Sequence, residues 1–317
     1  MSNGGPRDRG TAGPGAPEPR SPRSGPPVPP SPGPPGVTDV HVHIQPWRML
    51  KPAVMDAMRR GKEDHWEFLL SMMDDPTVAL EMMDRSGIWR IGMVNYPSPD
   101  LMGFTDETNS FSARYAEANP ERLLPYGGVH PRFASDIYAH VDDLLEMGIR
   151  CLKIHPSHQL FPANAHTMGL ETLGAIYRRC EDRGLPVMIH TGTSIFPGAR
   201  NKFGNPMELD DVAIDFPDLT LIMAHGGRPL WMDEAFFILR RHRNVCLDVS
   251  GIPPLKLLEY FPRLEEIRER VLWGTDWPSP GVRDLRHNLE QFMSLDLPAA
   301  TKAAVTRMNP LRVFPTQ

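Results

Sequence analysis

The chain has 317 residues, of which 40% are hydrophobic and 23% are charged, and its formal net charge is -5. This composition indicates a folded, mildly acidic protein and gives no reason to expect nucleic acid as a partner. The three cysteines, Cys151, Cys180 and Cys246, are too widely spaced for a disulfide framework, which predicts a reducing, cytoplasmic location. The chain has no apolar run of the roughly 18 residues that a membrane span needs, and its first segment lacks the apolar core of a signal peptide. We therefore expect neither export nor a membrane partner.

Residues 1 to 36 differ in composition from the rest of the chain. They contain 12 prolines, 8 glycines and no aromatic residue. Such a segment cannot bury enough apolar surface to offset the entropy lost on ordering, so we predict a disordered tail. Two alternatives are that its proline-rich runs bind an aromatic-lined groove and that its arginines contact an anionic surface.

From residue 37 onward, short apolar runs alternate with longer amphipathic stretches, the pattern of repeated βα units around a parallel sheet. The predicted strands begin at Val37, Ile88, Leu123, Arg150, Pro186, Thr220, Val245 and Val271. Eight strands over about 280 residues predict one (β/α)8 TIM barrel, an α/β fold, across residues 37 to 317.

Two connections carry helix signals. The methionine-rich segment from Gln45 to Gly87 is predicted to be helical and to border the mouth of the barrel after the first strand. A second helix is predicted between Ser135, as its N-cap, and Gly148, as its C-terminal glycine.

The first predicted strand contains the motif "DVHVH", with His41 and His43 two positions apart. Side chains at this spacing leave the same face of a strand, so the two imidazoles converge and can bind one metal ion. Taken alone, the motif fits equally well with two partly buried histidines that hydrogen bond to backbone or water.

Polar residues recur at the ends of the later predicted strands. They are His130, Lys153, His155, His190, His225, Asp248, Ser250 and Asp276. The carboxyl ends of the strands form the active-site face of a TIM barrel, where several strands contribute catalytic groups. This recurrence favours a metal site at the barrel mouth over isolated buried histidines.

The motifs "DVHVH", "MIHTG", "MAHGG", "GTDWP" and "NPLRVF" run in this order from Asp39 to Phe314. In this arrangement the sequence resembles the amidohydrolase superfamily, specifically the amidohydrolase-related group that includes aminocarboxymuconate semialdehyde decarboxylase. The resemblance implies a metal-dependent TIM-barrel enzyme and a homodimer. It also implies metal ligands and a catalytic histidine at matching positions. The ligands would be His41, His43, His190 and Asp276, and the catalytic histidine would be His225.

Three imidazoles and one carboxylate suit zinc, although manganese, iron and cobalt can occupy such a set. We expect one zinc ion that activates a water molecule. Asp276 would bind the ion through one oxygen and steer the proton of the water with the other, so that it is both ligand and catalytic group. His225 is suited to general acid or base work. Asp248 is expected to orient His225 or a neighbouring ligand.

Lys153 leaves two readings open. In the binuclear branch of the superfamily a lysine at the end of strand four is carboxylated and bridges two metals. The context "KIHPSHQLFPAN" more closely resembles the single-metal group, in which Lys153 would contact a substrate anion or donate a proton. Alternatively, Lys153 pairs with a carboxylate of the barrel.

Other residues near the predicted mouth suggest a small acid as substrate. Arg200 and Arg228 are candidate carboxylate ligands, since arginine binds carboxylate through a bidentate fork. His155 and Trp277 complete the predicted substrate-binding set, with Lys153. The alternative is that the loop cations are solvated and that Arg228 pairs with Asp233 or Glu234.

The sequence therefore predicts a cytoplasmic, metal-dependent hydrolase that cleaves an amide, ester or lactone bond of a small carboxylated molecule. The alternative function is non-oxidative decarboxylation of a small aromatic or unsaturated acid at the same metal site. A third hypothesis, a non-catalytic ligand-binding barrel, is disfavoured because no residue of the ligand set is missing.

Overall fold

The structure is a computed structural model that describes residues 1 and 36–316. The predicted tail therefore lies almost wholly outside the described residues. Eight parallel strands pair in sequence order, β1 with β2 through to β7 with β8, as predicted. The strands are β1 (Val37–Val42), β2 (Ile88–Met93), β3 (Leu123–Gly127), β4 (Cys151–Ile154), β5 (Val187–His190), β6 (Leu221–Ala224), β7 (Val245–Asp248) and β8 (Val271–Leu272).

Backbone hydrogen bonds between β1 and the segment after β8 close the barrel. The N–H of Val40 donates to the carbonyl of Trp273 (3.1 Å), and the N–H of His43 donates to that of Trp277 (2.7 Å). Between them, the N–H of Asp276 donates to the carbonyl of His41 (2.9 Å). This closure brings the "DVHVH" and "GTDWP" motifs into direct contact.

Helices surround the barrel and confirm the (β/α)8 prediction. They are α1 (Pro52–Arg59), α2 (Trp66–Asp74), α3 (Pro76–Ser86), α4 (Glu107–Ala116), α5 (Ile137–Glu146), α6 (Pro156–Gln159), α7 (Glu171–Arg183), α8 (Glu208–Asp215), α9 (Met232–Arg241), α10 (Leu257–Tyr260), α11 (Leu285–Ser294), α12 (Ala299–Ala303) and α13 (Asn309–Val313). The long connection after β1 is helical, as predicted, and forms α1 to α3. Within the described residues, no helix is long and apolar enough to cross a membrane.

One helix start was predicted one residue too early. Helix α5 begins at Ile137, and its N-cap is Asp136, whose carboxylate accepts from the N–H of Ala139 at 3.0 Å. Ser135 and Asp136 are both good capping residues, so local preference alone does not separate them.

Two apolar cores hold the fold together. The larger core packs the helices onto the outside of the barrel, and the smaller core fills its interior. Phe314 belongs to the interior core and packs against Tyr126, with ring centroids 5.5 Å apart. The side-chain amide of Asn309 donates to the carbonyl of Val271 (2.8 Å) and anchors the C-terminal helix to β8. The "NPLRVF" segment thus closes the end of the barrel that lies opposite the predicted site.

Candidate active site

A cavity of about 160 Å³ opens at the carboxyl ends of the strands. Its polar wall comes from strand ends and the loops that follow them, and its apolar wall comes from α1 and neighbouring loops. The polar residues include His41, His43, Lys153, His155, His190, His225, Arg228 and Asp276. The apolar residues include Leu50, Met58, Met102 and Phe196.

His41 lies at the centre of the polar wall and is fully buried. Its Nδ1 lies 2.6 Å from Oδ2 of Asp248. An ionised carboxylate only accepts, so Nδ1 carries the proton and Nε2 presents a lone pair. Burial, with Lys153 nearby, lowers the pKa of His41 and favours this neutral form. Its Nε2 lies 3.4 Å from Oδ1 of Asp276 and has no hydrogen-bond partner among the described residues.

Asp276 links the two histidines of "DVHVH" to Arg228. Its Oδ1 lies 2.8 Å from Nε2 of His43, and its Oδ2 lies 3.5 Å from a guanidinium nitrogen of Arg228. Burial alone would raise the pKa of Asp276, but the facing imidazoles, led by His225, hold this pKa well below its usual range. The alternative pairing of Arg228 with Asp233 or Glu234 is therefore wrong, because its guanidinium turns into the cavity.

His225 follows β6, and its Nδ1 lies 2.8 Å from the carbonyl oxygen of Ser250. A carbonyl only accepts, so Nδ1 carries the proton and Nε2 is again a free lone pair. Burial lowers the pKa of His225 well below its ordinary value.

Two of the site residues have unusual backbone conformations. His225 and Asp276 both have φ of 68°, in the left-handed region that non-glycine residues rarely adopt. Strain of this kind persists where the surrounding structure imposes it, and it is concentrated at functional sites.

The closest cluster of metal-ligating atoms in the described part of the chain consists of His41, His225 and Asp276. One ligand atom from each residue lies within 4.8 Å of the others. The sequence predicted that His225 is a catalytic residue and not a ligand, whereas the fold places it in this cluster of possible ligands. His43 joins the cluster through its contact with Asp276, and the ring of His190 lies 4.7 Å from that of His225.

The imidazole of His190 is one end of a stack of three imidazoles in the cavity wall. It stacks on His155 with ring centroids 3.8 Å apart, and His155 stacks on His158 at 3.4 Å. Burial lowers the pKa of all three imidazoles, so this stack is uncharged. Nε2 of His190 has no partner within the described residues, which leaves it free to bind a ligand.

Lys153 is fully buried, and its Nζ has no hydrogen-bond partner among the described residues. Burial lowers its pKa to about 8, although Asp248 and Asp276 oppose the shift. No ion pair joins Lys153 to a carboxylate in the range 36–316, so the predicted alternative of a structural ion pair is not observed. Its ammonium is available to a group within the cavity.

Two predicted substrate-binding residues do not line this cavity. Arg200 is exposed, and its backbone N–H donates to the carbonyl of Ser157 at 2.9 Å. The side chain of Trp277 faces a neighbouring cavity with Phe68 and Met82, because consecutive residues after β8 point to opposite sides. The structure therefore groups Lys153, His155 and Arg228 but not Arg200 and Trp277.

Sequence reasoning missed several residues of the wall. Tyr96 follows β2 and Ser194 follows β5, and both line the cavity. Their positions after strand ends were a usable signal. Met58 and Met102 also line it, but nothing in their local sequence distinguishes them from ordinary core methionines.

The residues present fit a divalent metal ion. The Nε2 atoms of His41 and His190, which have no partner in the part of the chain that the structure describes, are uncharged ligand atoms, and the carboxylate of Asp276 lies beside His41. Imidazole and carboxylate ligands suit zinc and related ions. Such donors at the strand ends of an eight-stranded barrel define the class of metal-dependent TIM-barrel enzymes.

A family model described as amidohydrolase matches residues 38–316, and the chain belongs to this family. This confirms the resemblance drawn from the motifs. No curated protein matches the chain at a significant level.

Several solved structures share the fold. An uncharacterised TIM-barrel protein from Bordetella bronchiseptica is 21% identical with a TM-score of 0.68, covering 87% of this chain and 97% of that one. A probable 2-pyrone-4,6-dicarboxylic acid hydrolase from Acinetobacter baumannii, with citric acid bound, is 13% identical with a TM-score of 0.63, covering 88% and 98%. A dihydroxybenzoic acid decarboxylase from Polaromonas sp. JS666, with manganese and 2-nitroresorcinol bound, is 16% identical with a TM-score of 0.63, covering 88% and 96%. The chain is thus similar in fold to both hydrolases and decarboxylases.

Proposed function

We propose that the protein is a metal-dependent hydrolase that cleaves an amide, ester or lactone bond of a small carboxylated molecule. The observation that carries this proposal is the convergence of His41, His225 and Asp276, with ligand atoms within 4.8 Å of one another. The cluster lies on the wall of a cavity that also contains two cationic side chains, Lys153 and Arg228, whose Nζ and Nε atoms have no hydrogen-bond partner among the described residues.

In this proposal His41, His43, His190 and Asp276 hold one divalent ion, zinc in the first instance. When bound there, the ion supplies Lewis acidity and lowers the pKa of water. The unpartnered Nε2 atoms of His41 and His190 support the assignment, since a buried polar atom without a partner is costly unless a ligand engages it.

His225 is the proposed general base and acid. Its Nδ1 proton is engaged by the carbonyl of Ser250, so its Nε2 lone pair can accept a proton from water and return it to the leaving group. The second oxygen of Asp276 lies 3.5 Å from a guanidinium nitrogen of Arg228. The facing imidazoles, led by His225, keep the pKa of Asp276 low, so the ionised carboxylate can orient the water.

The substrate is proposed to be an anion because of the cations in the cavity. Nζ of Lys153 and Nε of Arg228 are both buried without partners among the described residues. Buried charged donors are stabilised by a charged acceptor, and a carboxylate supplies two acceptor oxygens. The cavity volume of about 160 Å³ suits a small acid.

The second candidate function is non-oxidative decarboxylation, and a specific observation favours it. Leu50, Met58 and Met102 give the cavity an apolar wall. A carboxylate held against apolar side chains is destabilised relative to uncharged CO2, and this difference lowers the barrier to its loss. Nε2 of His225 would take a proton from solvent and deliver it to the carbon that CO2 leaves.

One screen separates the two reactions. Purified protein is incubated with lactones, anilides and hydroxybenzoates while acid release and CO2 release are recorded together. We expect acid release without CO2, abolished by His190→Ala. CO2 release without net acid formation, equally dependent on His190, would establish the decarboxylase instead. Turnover that His190→Ala leaves unchanged would exclude both.

A further inference from the structure

Three side chains on one side of the cavity form a continuous hydrogen-bonded chain. Tyr96 follows β2, His158 lies in α6 and Ser194 follows β5. The Tyr96 hydroxyl lies 2.7 Å from Nδ1 of His158, and Nε2 of His158 lies 2.7 Å from Oγ of Ser194. Tyr96 and His158 are each only 2% exposed, and all three line the cavity.

The direction of these hydrogen bonds follows from Tyr96. Its hydroxyl has no other partner within the described residues, and Tyr96 is 2% exposed whereas Ser194 is only half-buried, so the proton of Tyr96 is assigned to Nδ1 of His158. Burial raises the pKa of Tyr96, and therefore the hydroxyl keeps its proton. Burial also lowers the pKa of His158 to about 3, so the ring is neutral. Nδ1 therefore accepts, and Nε2 carries the single ring proton and donates it to Ser194.

Both lone pairs of the Ser194 hydroxyl are then occupied. Its Oγ accepts from Nε2 of His158 and also from the N–H of Phe196, at 3.3 Å. The backbone of Ser194 is held by Asn201, whose Oδ1 accepts from its N–H at 2.8 Å and whose amide donates to its carbonyl at 3.3 Å. A hydroxyl with two filled lone pairs retains only its O–H as a donor. No described residue accepts that proton, and the side chain lines the cavity.

We propose that Ser194 is a substrate-binding residue that donates a hydrogen bond to the substrate, and that Tyr96 and His158 are positioning residues that keep it a donor. The inference rests on the proposed function and deepens it, because Lys153, Arg228 and Ser194 then all present donors. The substrate is accordingly an acid with a second acceptor oxygen, such as a dicarboxylate.

The tautomer of His158 tests the chain independently of turnover. In protein labelled with ¹⁵N at histidine, the ring signals of His158 are assigned by their loss in His158→Gln. We expect an unprotonated Nδ1 and a protonated Nε2 in the wild type and in Ser194→Ala. Tyr96→Phe should lose this preference, since nothing then donates to Nδ1. A proton on Nδ1 in the wild type overturns the inference.

Binding of two probe acids tests the role of Ser194. Calorimetry on zinc-loaded protein measures the Kd of isophthalate, a dicarboxylate, and of benzoate, a monocarboxylate. We expect Ser194→Ala to weaken isophthalate binding by about tenfold, as loss of a hydrogen bond to a charged group would, and to reduce the preference over benzoate. Ser194→Thr keeps the hydroxyl and should retain most of the affinity. Ser71→Ala, on the exposed face of α2, is the control.

A double variant distinguishes a positioning role of Tyr96 from a general loss of structure at the site. Tyr96→Phe should weaken isophthalate binding by allowing Ser194 to turn its proton toward His158. Tyr96→Phe/Ser194→Ala should be no weaker than Ser194→Ala alone, with zinc content unchanged. Additive losses, or isophthalate binding that Ser194→Ala does not change, overturn the inference. Failure of the wild type to bind isophthalate overturns the substrate class. A protein with these binding results but no turnover would refute only the proposed function.

Discussion

His41 in β1 and Asp248 at the end of β7 form a 2.6 Å hydrogen bond, and both side chains are fully buried. The bond fixes the imidazole with its proton on Nδ1 and its lone pair facing the cavity. Oδ2 of Asp248 also accepts from the Ser250 hydroxyl at 2.8 Å, which holds the carboxylate in place. Asp248 therefore orients His41, one of the two roles that its place at a strand end predicted.

Replacing Asp248 should weaken metal binding without removing a ligand. In Asp248→Asn the amide can donate to Nδ1, which would move the ring proton to Nε2 and remove the free lone pair. We expect metal affinity to fall by about tenfold to a hundredfold, as is usual when the partner of a metal-binding histidine is lost. Competition titration with a chelating dye measures this change, and the exposed Asp218→Asn is the control. Unchanged affinity would exclude an orienting role for Asp248.

The number of metal ions tests the role of Lys153. We expect the purified protein to hold about one equivalent of divalent metal, mainly zinc, because the donors converge on one region. Elemental analysis should show lower content in His41→Ala and Asp276→Ala, and no change in the exposed control His65→Ala. If the wild type instead holds two equivalents of metal and Lys153→Ala loses both, the site contains two metals bridged through Lys153.

Glu208, the first residue of α8, does not line the cavity and predicts how the stability of the fold depends on pH. Burial raises the pKa of Glu208 from 4.5 to about 7, although its carboxylate accepts from the N–H of Ala163 at 2.8 Å. In the unfolded chain Glu208 ionises near 4.5, whereas in the fold it holds its proton until about 7. The free energy of unfolding of the wild type should therefore fall as the pH rises from 4.5 to about 7. Above that range, Glu208 should cause no further loss.

Glu208→Gln keeps the acceptor and removes the charge. We expect the variant to gain about 1–2 kcal/mol over the wild type at pH 8 and nothing at pH 4.5, with the gain limited because the side chain is partly exposed. Urea unfolding at both pH values measures the difference, and Glu117→Gln at an exposed position is the control. An equal gain at both pH values would show that charge is not the cause.

Removal of residues 1 to 36 tests the domain boundary. These residues precede β1 and have a composition that cannot form a core. We expect the shortened protein to keep its melting temperature within about 2 °C and its full metal content. Aggregation or loss of metal would place part of the functional domain before residue 37.

The fold and the set of strand-end residues were predictable because both depend on patterns along the chain. Apolar runs at regular spacing mark the strands, and a parallel barrel must bring their carboxyl ends together. His41, His190, His225 and Asp276 therefore reach one cavity whatever the details of packing.

Side-chain pairing was less predictable because it depends on contacts between distant segments. Arg228 turns toward Asp276, 48 positions away, instead of the carboxylates in its own neighbourhood. Trp277 points away from the cavity although its neighbour Asp276 points into it. The contact between His158 in α6 and Ser194 after β5 joins residues 36 positions apart, and no local pattern marks it.

His225 is the residue whose role most needs a direct test, because the fold places it within the cluster of possible ligands. Asparagine is the suitable replacement, since it tolerates the left-handed backbone at φ of 68° better than other side chains except glycine. Its amide can also donate to the carbonyl of Ser250, as Nδ1 of His225 does. His225→Asn should therefore keep the fold and most of the metal while removing the group that moves the proton.

We expect His225→Asn to lower kcat by about two to four orders of magnitude, which is the usual contribution of a general acid or base. Metal content and turnover are measured on the same preparation, with His65→Asn as the control. A ligand would behave differently, because metal and activity would fall together and added metal would partly restore both. Nearly wild-type turnover would eliminate the acid or base role. Parallel loss of metal would instead make His225 a ligand, consistent with its position within 4.8 Å of His41 and Asp276.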